Sequence, residues 1–206
     1  MNVELSDEEK IRILNGVDLF DVMQKILKRS SKIDQDKEHF WIVGLSTSNE
    51  ILFIELVSLG TKNSTSVDPM EVFSFALQKR AVQIVLVHNH PSGTLRASDA
   101  DKDMTDRLIQ VGIIVDLPVY DHLIITDKSY YSFKDSGLLE ELSHSLKYVP
   151  PYVLEARYKK EAAEMNSVLL ASKIAMKLLK DGMTLQQVSD YTELSIEEIR
   201  SLERGE

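Results

Sequence analysis

Gln83-Ile84-Val85-Leu86-Val87-His88-Asn89-His90-Pro91-Ser92-Gly93-Thr94-Leu95-Arg96-Ala97-Ser98-Asp99-Ala100-Asp101 is the stretch on which the fold turns. Its opening run, Gln83–His88, is short, apolar and β-branched, the pattern of a strand covered on both faces. The strand gives way at His88-Asn89-His90-Pro91-Ser92-Gly93 to a loop containing glycine and proline. A helix is then expected from Ser98 to about Val111, with Gly112 as its stop, before strands resume at Ile113–Val115, Asp121–Thr126 and Tyr130–Phe133. Upstream, the β-rich runs Phe40–Leu45 and Ile51–Val57 flank Thr47-Ser48-Asn49-Glu50, which predicts a hairpin. Asp68-Pro69-Met70-Glu71 places an N-cap aspartate before proline at the first helical position, so a helix follows to about Arg80. Strands and helices alternate, and residues 35–138 therefore form an α/β core domain.

Helical segments flank that core. In residues 1–34, Ser6-x-x-Glu9 is a capping box and Leu19, Val22, Met23, Ile26 and Leu27 recur at helical spacing. Lys28–Lys37 loses the pattern and is expected to be a linker. Residues 139–206 read as helical, with a break at Pro150-Pro151, an amphipathic helix over Asn166–Lys180 and a stop at Asp181-Gly182. Two capping boxes, Thr184-x-x-Gln187 and Ser195-x-x-Glu198, then open two short helices. Leu185, Val188, Tyr191, Leu194, Ile196, Ile199 and Leu202 are expected to supply their shared apolar face.

Composition limits the chemistry. The 206 residues include no cysteine, which excludes a disulfide framework, a thiolate zinc site, an iron–sulfur cluster and a cysteine nucleophile. Any metal must sit on nitrogen and oxygen. With 24 basic against 33 acidic side chains, the net charge of -9 argues against a chain devoted to broad capture of nucleic-acid phosphates. No apolar run approaches a bilayer span, and the acidic start Met1–Asp7 is unlike a signal peptide, so a cytoplasmic protein without membrane partners is expected.

His88 and His90 stand at i and i+2 where the strand ends, so their side chains project to one side and can meet one ion. Asp101, in the first turn of the next helix, completes a His₂-carboxylate set with one position left for water, the usual composition of a catalytic zinc site. Such an ion lowers the pKa of its water and polarises a carbonyl oxygen. The competing explanation is plain: Ser98-x-x-Asp101 is also an ordinary capping box, and an isolated His-x-His is weak evidence. The two are compatible, because Ser98 can cap while Asp101 turns one oxygen outward.

The spacing His-x-His-x(7)-Ser-x-x-Asp, from His88 to Asp101, resembles the JAB/MPN metalloenzyme pattern, and His88-Asn89-His90-Pro91-Ser92-Gly93 is similar to its RadC branch. The resemblance extends to Glu38–Leu45, Val57–Thr61, Val67–Phe73 and Asp121–Ile125, and covers about residues 35–138. It implies a cytidine-deaminase-like α-β-α core with helical N- and C-terminal extensions. It also implies one Zn²⁺ per chain on His88, His90 and Asp101, with amide hydrolysis by a peptidase or isopeptidase. The family's general acid/base glutamate, at the start of the first core strand, matches Glu38, with Glu55 and Glu71 as competitors. Ser98 matches the family serine that stabilises charge near the reacting oxygen. This chain departs from the branch at Ala97, where proline is usual, and at Asp68 and Met70, where histidine and arginine are more common. His122 is expected to be a structural, hydrogen-bonded histidine, although its Asp-His pair could approach the site; His39 and His144 are expected at the surface.

The expected function is therefore a zinc-dependent metallopeptidase or isopeptidase with a peptide or protein substrate. The alternative is a noncatalytic accessory protein associated with DNA repair or mobile elements, using the core as a scaffold and the C-terminal helices for partner or DNA binding. Residues 183–202 have a helix-turn-helix rhythm, but residues 140–206 hold nine basic and twelve acidic side chains. A major-groove helix should be net basic, so a protein partner is the stronger expectation for this tail.

Overall fold

The computed structural model describes residues 3, 12–29, 36–60 and 67–204. It contains two compact units, Met1–Tyr148 and Val149–Glu206.

The first unit is built on a five-stranded sheet. β1 (His39–Leu45) and β2 (Ile51–Leu59) form the hairpin, and β3 (Gln83–Asn89), β4 (Val119–Ile125) and β5 (Tyr130–Ser132) complete the order β2-β1-β3-β4-β5. β3 runs antiparallel to β1 and parallel to β4, so a crossover is needed between β3 and β4. That crossover is α3 (Asp99–Ile114), while α2 (Pro69–Gln78) links β2 to β3. β3 lies at the centre, and Ile84–Asn89 are all buried, as an apolar run flanked by two strands and two faces should be.

Alternation along the strands separates two apolar layers. α1 (Gly16–Arg29) buries Leu19, Phe20, Val22, Met23, Ile26 and Leu27 against Trp41, Val43, Val85, Val87, Leu123 and Ile125. Each fully covered side chain of this kind contributes about 1.5–3 kcal/mol. Phe40, Ile42, Ile84 and Leu86 point the other way, against Val72, Phe73 and Ala76 of α2 and Leu108 of α3. The result is an α-β-α sandwich.

Several boundaries differ from expectation for identifiable reasons. The helix spacing in α1 persists to Arg29, into the expected linker; residues 30–35 and the Ser6-x-x-Glu9 box lie outside the described residues. α1 belongs to the sheet's own core and is no separate appendage. Gly112 does not stop α3, and no strand forms at Ile113–Val115, because α3 continues to Ile114. The glycine serves close approach: a Cβ there would come 2.7 Å from the Leu117 carbonyl oxygen, whose backbone N–H donates to Gly112. α4 (Leu138–Ser143) and the chain to Tyr148 also belong to the first unit. Leu138 packs with Ala97, Ile124 and Phe133, Ser145 Oγ donates to Asp106 at 2.7 Å, and the Tyr148 hydroxyl donates to Asp103 at 2.9 Å. The unit boundary thus falls after Tyr148, beyond residue 138.

The second unit consists of α5 (Pro151–Lys180), α6 (Leu185–Thr192) and α7 (Ile196–Arg204). α5 starts at Pro151, whose missing N–H costs nothing at the first helical position, and runs unbroken through Asn166. Both short helices carry the expected caps: Thr184 with Gln187, and Ser195 with Glu198. Ala175, Val188 and Ile199 form the buried centre, joined by Leu178, Leu179, Met183, Leu185, Leu194 and Leu202. Tyr191 is 74% exposed and is not part of that face. Among the described residues no helix is long and apolar enough to cross a membrane.

Candidate metal centre

Strand parity decides where the histidines go. Ile84 and Leu86 face the α2/α3 layer, so His88 follows on the same face and His90, just beyond the strand, keeps that side. Their Nε2 atoms lie 2.9 Å apart. The chain then returns through the loop to α3, whose first turn is a capping box: Asp101 N donates to Ser98 Oγ at 3.1 Å, and Ser98 N and Oγ both donate to Asp101 Oδ2 at 2.7 Å. Asp101 Oδ1 is left 3.3 Å from His88 Nε2, and Oδ2 lies 3.6 Å from His90 Nε2. One ligand atom from each of His88, His90 and Asp101 therefore lies within 4.8 Å of the others. Capping and convergence coexist in one carboxylate.

The donor set fits a metal ion. His90 Nδ1 contacts the Thr94 carbonyl oxygen at 2.8 Å, and a carbonyl only accepts, so Nδ1 carries a proton and the neutral ring has its lone pair on Nε2. That lone pair points toward His88 Nε2 and the Asp101 carboxylate, a grouping that a cation relieves. Two imidazole nitrogens and a carboxylate suit zinc, and the outward hydrogen bond of His90 is the usual anchor of a ligating histidine. Electrostatics reflect the same crowding. Burial disfavours the charged forms, yet contacts with His88, His90 and Ser98 hold the Asp101 carboxyl far below the usual carboxylate range. At His90, burial is outweighed by the nearby Asp101 carboxylate, the Thr94 carbonyl and the charge of Glu38, so its pKa is raised.

Glu38 immediately precedes β1, where Phe40 pairs with His88, so continuing the antiparallel register brings Glu38 alongside His90. Its charge acts on His90 accordingly. Asn89, between the two histidines, points to the other face and clamps the backbone on either side of this glutamate. Its Oδ1 accepts from His39 N at 2.7 Å, and its Nδ2 donates to the Lys37 carbonyl at 3.0 Å. Glu55 pairs with Ile42 farther along the sheet, and Glu71 is an exposed residue in the first turn of α2, where Asp68 makes the cap bond to Met70 N.

His122 is fully buried and sits behind the site, with Nε2 2.7 Å from His88 Nδ1 and Nδ1 2.7 Å from Thr105 Oγ1. Burial, with His88 nearby, pushes its pKa well below that of a free histidine. It is hydrogen-bonded, as expected, and its partner is one of the converging histidines. His39 is not a surface residue: it is 4% exposed and stacked on Trp41 at 4.9 Å, whereas His144 is exposed. Ala97, in the position where proline is usual, is buried against Ile124, Phe133 and Leu138, and Met70 is 76% exposed. The sequence reading passed over Asn89 and Thr105. The available signals were that Asn89 lies inside the motif and Thr105 one helical turn beyond Asp101.

A family model described as RadC-like JAB domain matches residues 15–138. Among similar curated proteins, a UPF0758 protein of Desulforudis audaxviator is 48% identical over 103 residues, covering 50% of this chain and 45% of that protein. A UPF0758 protein of Pelodictyon phaeoclathratiforme is 44% identical over 106 residues, 52% of this chain and 48% of its own. That of Chlorobium chlorochromatii is 38% identical over 129 residues, 62% and 55% respectively. The chain spans about half the length of the curated relatives it matches. With the model match covering more than half of its residues, the chain belongs to the RadC-like JAB domain family.

Proposed function

We propose that this chain is a zinc-dependent hydrolase that cleaves a peptide or isopeptide amide with an activated water. The observation that carries the proposal is the convergence of His88 Nε2, His90 Nε2 and the Asp101 carboxylate at the end of β3, with Glu38 alongside. His88, His90 and Asp101 would hold one Zn²⁺. When bound, zinc supplies a Lewis acid that lowers the pKa of its water and polarises the scissile carbonyl. Glu38 takes a proton from the attacking water and returns it to the leaving amine, which is the proton traffic that amide cleavage requires. Ser98 Oγ keeps Asp101 Oδ2 in place by donating to it; for it to stabilise developing charge on the carbonyl oxygen, its one hydrogen would have to turn from Asp101 to the substrate.

The test is zinc content together with amide hydrolysis. Purified wild-type protein should hold about one zinc; His88→Ala and Asp101→Ala should lose it while circular dichroism stays native. Glu38→Gln should retain zinc and lose hydrolysis of a mixed peptide and isopeptide library by roughly 10²–10⁴-fold. Wild-type protein that stays metal-free in zinc-supplemented buffer would sink the proposal.

A second reading, an accessory protein working through its C-terminal helices, is favoured by the separate helical unit with its two capped helices. The acidic excess there supports a protein partner over DNA.

A further inference from the structure

Which nitrogen of His88 carries its proton matters, because a ligating histidine must present a lone pair to the metal. His90 has its proton placed by a backbone carbonyl, but His88 Nδ1 meets another histidine, and two imidazoles in contact leave the direction of the bond open. The direction is set three groups away. The Asp101 carbonyl oxygen lies 2.6 Å from Thr105 Oγ1 and can only accept, so the hydroxyl's one hydrogen is committed there. At Thr105 Oγ1 only lone pairs remain for His122 Nδ1, which must therefore donate. A neutral His122 with its proton on Nδ1 has its lone pair on Nε2, so His88 Nδ1 donates to it. The lone pair of His88 is thereby left on Nε2, the atom facing His90 and Asp101.

We propose that Thr105 is a positioning residue. Its hydroxyl, locked on the Asp101 carbonyl, orients a one-way hydrogen-bond chain through His122 that presents the Nε2 lone pair of His88 to the metal position. The proposal presupposes the zinc centre for its purpose, but not for its direction. Thr105 and His122 are both 0% exposed, so bulk water does not compete for either group. The chain also closes a loop on the ligand set, since it begins on the backbone of Asp101 and ends on the ring of His88. Both ligands are thus tied to one buried network spanning α3, β4 and β3.

The experiment uses the full chain with ¹⁵N-labelled histidine and reads ring tautomers by NMR, with and without zinc, alongside zinc affinity from chelator competition. In wild type, His122 should carry its proton on Nδ1. Thr105→Ser, which keeps the hydroxyl, should preserve both that signature and the affinity. Thr105→Val, similar in shape but without the hydroxyl, should release the Nδ1–H of His122, shift its proton toward Nε2 and weaken zinc binding roughly 10- to 100-fold, the usual cost of losing an outer partner of a ligand. A wild-type His122 protonated on Nε2 overturns the proposal, whether or not Thr105→Val folds. So does a folded Thr105→Val in which either the tautomer or the affinity stays as in wild type. If wild type takes up no zinc, the metal-centre proposal fails, while the His122 tautomer still decides the direction of the chain.

Discussion

Asn89 and Thr105 each support the site from behind, and they should fail differently. Asn89 is 2% exposed, and its amide holds the backbone on both sides of Glu38 by hydrogen bonds with His39 N and the Lys37 carbonyl. Asn89→Ala should therefore keep zinc content near wild type while lowering turnover roughly 10- to 100-fold, as the loss of an outer-shell partner does. Thr105→Val acts on the affinity instead. Zinc titration followed by steady-state hydrolysis separates the two, and equal loss of zinc in both variants would contradict the division of labour. Asp101 shows why residue identity alone was ambiguous. Its Oδ2 serves the helix cap and its Oδ1 faces His88, so the capping and metal explanations each described one oxygen.

At the level of elements, the site depends on the register between β1 and β3, because Phe40 opposite His88 is what places Glu38 beside the loop histidine. The hairpin that fixes β1 contains an irregularity at Gly44/Leu45, and there the Phe53 ring lies over Gly44 so closely that a Cβ would fall 2.0 Å from it. Phe53 is 3% exposed and packed edge-on against Phe75 at 4.9 Å, which restricts its escape. Gly44→Ala should lower the unfolding free energy by about 1–3 kcal/mol through overpacking, measured as a lower urea midpoint at unchanged slope. An unchanged midpoint would mean that the ring swings aside freely. A glycine inside a strand signals close approach in general, but which ring approaches is a cross-strand fact.

Across the whole molecule, each unit has its own apolar centre, and His88, His90, Asp101, Glu38, Ser98, Thr105 and His122 all belong to Met1–Tyr148. A fragment of residues 1–148 should therefore fold cooperatively and bind zinc with the affinity of the full chain. The full chain should not bind duplex DNA appreciably at physiological salt, given its net charge of -9. Salt-dependent DNA binding by the full chain that disappears in the fragment would instead favour the accessory reading.

The sequence by itself determined the α/β class, the central strand, the helix caps and the convergence of His88, His90 and Asp101. These follow from local rules: period-two alternation, capping chemistry and short spacing, all of which act within a few residues of the chain. The family pattern also drew attention to Glu38. Only the tertiary structure decided that α1 shares the core of the sheet, that α3 runs through Gly112, that His39 is buried, and that His122 and Thr105 stand behind His88. Those outcomes depend on which element lies on which face and on a hydrogen bond between residues 34 apart. Burial and proton direction are properties of the partner a group meets, and periodicity along one strand does not name the partner across the sheet.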